Sequence, residues 1–411
     1  MSIKKKLWAV AAVFVLTTAN ATPVMAEESL LKALKSGTPL LDLNYRYESA
    51  DDDLRPERGE ASTIRIRAGY KTADFKGFSV LVELESTNNL GSDDYDAFPG
   101  PNPNNDRPDK AQYGVIADPL ISELNRAYLQ YTGFGKTAIK VGRQRVILPT
   151  ARFVGNVGWR QNEQTFDAFF AQTEVVKDAT ITYAYLFERH DIVGVRSDMD
   201  THLFDAAYSG FKFGTVTAYA YLLDLDGFSN DSKTFGIRLE GKGKFYDVTF
   251  LYKTEYADQS DYADATPDFS VKYLSGELGS TFFGVTAKVG YELLGSDDGK
   301  KQAFSTPLAS LHKFNGWADR FLATPAAGLE DIYGEVSGSV MGVNLSAIYH
   351  DFSSDVGGTD YGKEIDLQAV TKYDKFTFGL KFASYDADHP EMLGGVNKDV
   401  TKFWFWIGYE L

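Results

Sequence analysis

Charged residues recur at every second position between apolar ones, and they are the first candidates for chemistry. Arg46 stands among Leu43, Tyr45 and Tyr47, while Arg65 and Arg67 flank Ile66 and Glu83 and Glu85 flank Leu84. Arg126, Lys140, Arg238, Lys253, Lys288 and Lys381 occupy similar places on the basic side, and Asp42, Glu48, Asp205, Glu240, Asp247, Glu292, Glu364 and Asp366 on the acidic side. One such residue can pair across a strand ladder. A whole wall of them, of mixed sign and hydrated, can sort polar solutes by charge and size. Arg65 and Glu83 lie about equally far from a turn near Asp74 and are expected to face one another.

Residues 152–164, RFVGNVGWRQNEQ, carry charge of another kind, because the alternation stops there. Phe153, Val154, Val157 and Trp159 are too apolar for a solvated loop, and Gly155 and Gly158 permit a tight path. Folded inward, the stretch would hold Arg152, Arg160, Gln161, Asn162 and Glu163 in a lumen as a constriction, and Arg143 is counted among the residues lining it. HKFNGWADRF, with Trp317, Asp319 and Arg320, is the segment expected to pack beside it. A lid held by packing alone is the competing reading.

Catalytic and metal chemistry find less support. His190, His202, His312, His350 and His389 are scattered, with no two at metal-ligand spacing, so neither a metal site nor a cofactor is expected. His350-Asp351-Phe352-Ser353 lacks a nucleophile elbow. Asp224-Leu225-Asp226-Gly227 lacks the distal glutamate of a calcium loop and reads as a surface turn. No enzyme is expected.

The elements that must position these residues are strands. Val285-Ala287-Val289-Tyr291-Leu293 alternates with Thr286, Lys288 and Glu292, and the same period of two marks 41–47, 64–70, 78–84, 343–349, 376–382 and 403–411. Connections alternate between short and long. Tight ones are expected at Gly133-Phe134-Gly135, Gly210 to Gly214, Gly241-Lys242-Gly243, Phe282-Phe283-Gly284, Gly338 to Gly342 and Tyr373-Asp374-Lys375. Long ones are expected over 86–123, 143–164, 189–200, 254–268, 294–329 and 385–399. About eighteen strands result, an even number with one short-turn end and one long-loop end, the layout of a transmembrane antiparallel up-and-down β-barrel. A sandwich has no reason to alternate its connections, and no propeller repeat of about 40–45 residues is present. Aromatic girdles are expected at strand ends, including Tyr45, Tyr47, Tyr70, Trp404, Trp406 and Tyr409.

Bulk properties agree. Lys4 to Lys6, an apolar run from Leu7 to Ala19 and Val24-Met25-Ala26 mark residues 1–26 as a cleaved secretory leader, leaving 27–411 as one domain. The chain has 42 Lys and Arg against 57 Asp and Glu, a net charge of −15 that becomes about −18 without the leader lysines, so nucleic acid is an unsuited partner. An exported chain with zero Cys excludes a disulfide scaffold. The 24 Tyr, 29 Phe and 37 Gly against 13 Pro suit one large sheet.

Two stretches, GRQRVILPTARFVGNVGWRQNEQTFDAF (142–169) and FSTPLASLHKFNGWADRFLATPAAGLEDIY (304–333), resemble the two most recognisable blocks of the alginate-export-like family of bacterial outer-membrane porins. The resemblance implies a single-chain barrel in the outer membrane of a Gram-negative bacterium, meeting lipid and lipopolysaccharide outside and hydrophilic or saccharide solutes inside. Its implied function is a porin-like channel, with dedicated transport of an anionic polysaccharide such as alginate, or a closed receptor or adhesin barrel, as alternatives. The terminal FWFWIGYEL resembles an assembly signal read by the outer-membrane assembly machinery, although Leu411 stands where such proteins usually end in Phe.

Overall fold

The computed structural model describes residues 23–98, 108–227, 231–266, 268–299, 302–388 and 395–411; most of the expected leader and His389 lie outside them. A helix, α1 (Pro23–Lys35), precedes the strands. It docks through Ala73 N–H on the Ala33 carbonyl, 3.1 Å, and Tyr70 Oη on the Leu34 carbonyl, 2.6 Å.

Eighteen strands follow: β1 (Thr38–Asp52), β2 (Gly59–Lys71), β3 (Phe78–Asp94), β4 (Ser122–Tyr131), β5 (Thr137–Gln144), β6 (Thr165–Thr173), β7 (Ala179–His190), β8 (Arg196–Phe211), β9 (Gly214–Leu223), β10 (Ser232–Phe245), β11 (Val248–Asp261), β12 (Ser270–Phe282), β13 (Val285–Leu294), β14 (Leu329–Val340), β15 (Val343–Ser353), β16 (Asp360–Tyr373), β17 (Phe376–Ala387) and β18 (Val400–Glu410). Each pairs antiparallel with its sequence neighbours, and β18 returns to β1 from Asp42↔Glu410 to Asp52↔Val400, so the sheet closes as expected. A small ribbon, Ser296–Asp297 with Gln302–Ala303, stands outside the wall.

One end of the barrel is made of tight turns. Tyr246, Phe283, Met341 and Asp374 each open a two-residue turn at φ between 48° and 53°, the left-handed geometry that matches strand twist. The turn expected at Gly241-Lys242-Gly243 is instead part of β10, and the chain reverses at Tyr246-Asp247. Asp247 therefore sits in a turn and not in the lumen. At the other end, three connections are shorter than the sequence suggests, spanning 95–121, 191–195 and 262–269, because the strands run on past the point where their outward face stops being apolar.

The outward face is apolar and the inward face polar. Phe78, Val80, Val82 and Leu84 of β3 are 41–58% exposed while Ser79, Glu83 and Glu85 between them are buried. Phe134, Phe213, Phe245, Tyr246, Phe283 and Tyr373 stand exposed at the turn end. Trp404 and Trp406 do not belong to an outer girdle: they are 0% and 9% exposed and point inward, with Phe403 on the opposite face. The core lies inside the barrel, where Phe153, Val154, Phe304, Leu308 and Phe321 from the long connections meet Phe166, Phe352, Tyr385 and Trp404 of the wall.

Candidate functional site

Two connections fold into the barrel, 145–164 between β5 and β6 and 295–328 between β13 and β14. Their apolar residues drive this. Phe153 sits among Tyr219, Tyr221, Tyr273 and Phe304, with ring centroids 5.3–5.9 Å away, removing from water a side chain that would be costly to leave exposed. The two segments pair through Val154 and Leu308, and Gly155 N–H donates to the Leu308 carbonyl at 2.8 Å. Val157, β-branched, is held at φ 51°, and Asn315 and Asp319 at 54° and 64°, conformations that the surrounding contacts must enforce.

Charges fix the segments to the wall. Arg152 donates to both carboxylate oxygens of Glu292, at 2.8 and 3.2 Å, and to Asn315 Oδ1 at 3.0 Å. Arg160 joins Glu48 at 3.0 Å to Asp319 at 2.9 Å. Gln161 donates to Thr63 Oγ1 at 2.9 Å, and Glu163 accepts from Arg145, Asn125 and Asn156. Burial opposes the ionised form of Glu163, yet Arg67 and Arg145 hold its pKa down to about 2. Asp319, also buried, is kept well below the usual range by Lys402, His312 and Arg160. Arg320 reaches Asp52 at 2.7 Å.

The wall residues named from sequence form pairs of their own. Arg67 bonds Glu85, and Arg126 grips Glu83 with bonds of 2.5 and 2.8 Å. The expected Arg65–Glu83 pair does not form: the chain reverses at Lys76-Gly77 and not at Asp74, which puts Arg65 opposite Thr87 and Glu83 opposite Gly69. Arg65 binds Asp42 at 2.5 Å instead. Arg46 donates to the Trp159 carbonyl and to Asp118, 3.4 Å. Arg143 binds Asp167 at 2.9 Å and occupies the face of β5 shared with exposed Val141. Among the described residues no carboxylate pairs with Lys140, which lies 5.5 Å from the Tyr128 and Phe170 rings.

A tryptophan cluster locks the two segments together. Trp159 stacks on His312 at 4.8 Å and meets Trp404 and Trp406 edge-on, while Lys381 Nζ lies 3.1 Å from His312 Nε2. His312 is held neutral, its pKa lowered to about 3 by burial, despite the 2.7 Å contact of its Nδ1 with Asp319. This tautomer donates to Asp319 and accepts from Lys381.

Arg152, Gln161 and Glu163 are at most 2% exposed; protein partners saturate Arg152 and Glu163, while Gln161 Oε1 has none among the described residues. Arg160 differs. It borders a cavity of about 370 Å³ on the loop side, together with Arg55, Arg189, Arg320, Lys402, Asp52 and Asp319. Arg189, not anticipated from sequence, donates to Gln164 Oε1 at 2.7 Å and has no carboxylate partner among the described residues. The only signal for it was its place at the end of a strand, where alternation says little. Five cations and two carboxylates line the cavity, and Asp96 and Glu48 pair Arg55 and Arg160 from its edge, so Arg189 is the lining cation without a carboxylate partner among the described residues and the one best placed to attract an anion. His350, the sequence candidate for a triad, is occupied by Asp331 at 2.9 Å, and Ser353 donates to Glu330 instead.

A family model described as alginate export matches residues 41–296. OpdK of Pseudomonas aeruginosa, an outer membrane protein solved with vanillate, is 13% identical at a TM-score of 0.70, covering 92% of this chain and 99% of its own. OccK9 (OpdG) of the same organism is 16% identical at 0.71, and Acinetobacter baumannii OccAB4 13% at 0.69, each with the same coverage. At these identities the likeness is one of fold. No curated protein matches the chain.

Proposed function

This chain belongs to the alginate export family, and from that premise we propose that it is a channel of the Gram-negative outer membrane that passes small hydrophilic solutes, anionic ones preferentially. The carrying observation is the loop-side cavity of about 370 Å³ in which Arg55, Arg160, Arg189, Arg320 and Lys402 outnumber Asp52 and Asp319. The apolar outward face is the lipid contact, the turns face the periplasm and the long loops the outside. Vanillate, present with OpdK, is a small carboxylate of the kind such a cavity suits. The inward segments act as the constriction, with Arg160 as its cationic lip and the buried pairs of Arg152 and Glu163 as its frame. In this reading residues 1–26 are a leader, 27–411 the barrel domain, β18 the strand read by the assembly machinery, and no catalytic step is involved.

Conductance in planar bilayers tests this. Protein folded in detergent should give discrete ion-conducting steps whose reversal potential under a KCl gradient favours chloride. Correctly folded protein without steps, or with cation preference, removes the reading. A dedicated path for an anionic polysaccharide is the second reading, supported by the family description. Block of the current by oligouronates, and not by monomeric carboxylates, would favour it.

A further inference from the structure

On the face of the wall opposite the cavity, β6 and β7 bring together three groups that the channel reading does not use. Asp167 stands opposite Glu188 in the ladder, and His190 follows two residues later on the same face, while Arg189 between them turns inward to Gln164. One ligand atom from each of the three lies within 4.8 Å of the other two. His190 Nε2 is 2.8 Å from Glu188 Oε1 and 3.5 Å from Asp167 Oδ2.

The imidazole is the second, independent observation. Its side chain is 2% exposed, yet neither Nδ1 nor Nε2 makes an aligned hydrogen bond with any described residue. Buried polar atoms are normally satisfied, and leaving one unmet costs about 1–3 kcal/mol. Nε2 points into the gap between two carboxylates, where a cation would satisfy all three at once. Metal–ligand bonds of about 2.0–2.2 Å hold tetrahedral ligands roughly 3.3–3.6 Å apart; the 3.5 Å His190–Asp167 spacing already matches, and the 2.8 Å His190–Glu188 spacing would open by a few tenths of an ångström on loading.

We propose that Asp167, Glu188 and His190 form a binding site for a divalent transition-metal ion at the loop-end rim of the barrel. One nitrogen and two carboxylate oxygens suit zinc-like ions better than calcium, which takes oxygen alone. Arg143, on Asp167 Oδ1 at 2.9 Å and Oδ2 at 3.2 Å, orients that carboxylate from behind, and Glu123 adds negative potential at His190. Glu188, whose side chain is 29% exposed against 10% for Asp167, is the side of entry and leaves open coordination positions to the solvent or headgroup region.

The test uses full-length protein folded in detergent and stripped with EDTA. Calorimetric titration with ZnCl₂ should show about one ion per chain, and CoCl₂ should produce visible d–d absorption bands. His190→Ala and Glu188→Gln should each weaken Zn²⁺ binding by about tenfold or more, while heat-modifiable migration on a gel stays as in the parent. Should His190→Ala fail to fold, Glu188→Gln, at the most exposed ligand, decides alone. Binding that survives in the folded variants, absence of cobalt bands, or Ca²⁺ binding as tight as Zn²⁺ overturns the proposal and returns the cluster to a plain His–carboxylate contact.

Discussion

Lys381 places its ammonium 3.7 Å from the centroid of the Trp159 ring, and Trp317 closes over it at 4.0 Å. A wall strand thus holds one inward segment through a cation between two indoles, the second indole supplied by the other segment. A desolvated cation–π contact contributes about 2 kcal/mol or more. Trp159→Ala also opens a void among Trp404, Trp406 and His312, which adds a cavity cost for a total of about 3–5 kcal/mol. The variant is expected to melt lower, to expose 145–164 to protease, and to show noisier single-channel current. A quiet, protease-resistant Trp159→Ala would show that the segment is held elsewhere.

Charge reversal separates the cationic lip from its frame. Arg189→Glu breaks no ion pair, though it loses the bond to Gln164 Oε1, and should move the reversal potential toward cation preference with a smaller fall in melting than the loss of a buried pair. Arg152→Glu leaves Glu292 buried and unpaired, costing about 3–5 kcal/mol, and should register as instability first. Reversal potentials and melts of the two variants, recorded side by side, check this.

Acid should loosen the inward segments, and the sign follows from two residues. Glu163 titrates near 2 when folded against an ordinary 4.5, so its stabilisation is complete above 4.5 and fades as pH falls toward 2. His312, near 3 against an ordinary 6.5, takes up a proton in the unfolded chain that the folded one refuses, so stability also falls from pH 6.5 to 3. Melting temperature should decline in two stages on acidification. His312→Gln should flatten the upper stage and Glu163→Gln the lower.

The outward and inward faces differ sharply at adjacent residues of β13. Val289 is 64% exposed on the apolar face, and Val289→Arg should cost about 2–4 kcal/mol in lipid if it lies near the bilayer midplane. Lys288, next to it, faces inward between Glu277 at 3.7 Å and Glu335 at 3.4 Å, and Lys288→Gln should cost no more than about 1 kcal/mol. Urea-driven release from vesicles measures both. Equal costs would mean that this part of the wall does not meet acyl chains.

Much of this was legible from the alternation alone. Where one face meets an apolar medium and the other a polar interior, period two is imposed residue by residue, and the strand count follows. Register was not, because a shift of the turn from Asp74 to Lys76-Gly77 moves every partner while preserving the alternation. Trp404 and Trp406 misled for a related reason: in a strand apolar on both faces the pattern loses its phase, and only the loop arriving at Trp159 says which side is inside. The inward path of 152–164 could be read from its apolar residues in a decorated loop. That Arg152 and Glu163 would be saturated by Glu292 and Arg145, while Arg189 has no carboxylate partner among the described residues, depends on contacts 140 residues apart in one case and on a strand terminus in the other.

The join between β1 and β18 pairs the first strand of the wall with the last, so it spans the largest sequence separation of any strand pair in the barrel. The inward segments cross it from inside: Arg160 holds Glu48 on β1 and Asp319, which in turn holds Lys402 on β18 at 2.9 Å. The same ion pairs therefore act as a clasp over the seam. A barrel whose clasp is cut should close more slowly and reopen at that line before any other, which would give the residues proposed for the constriction a second task in closing the cylinder.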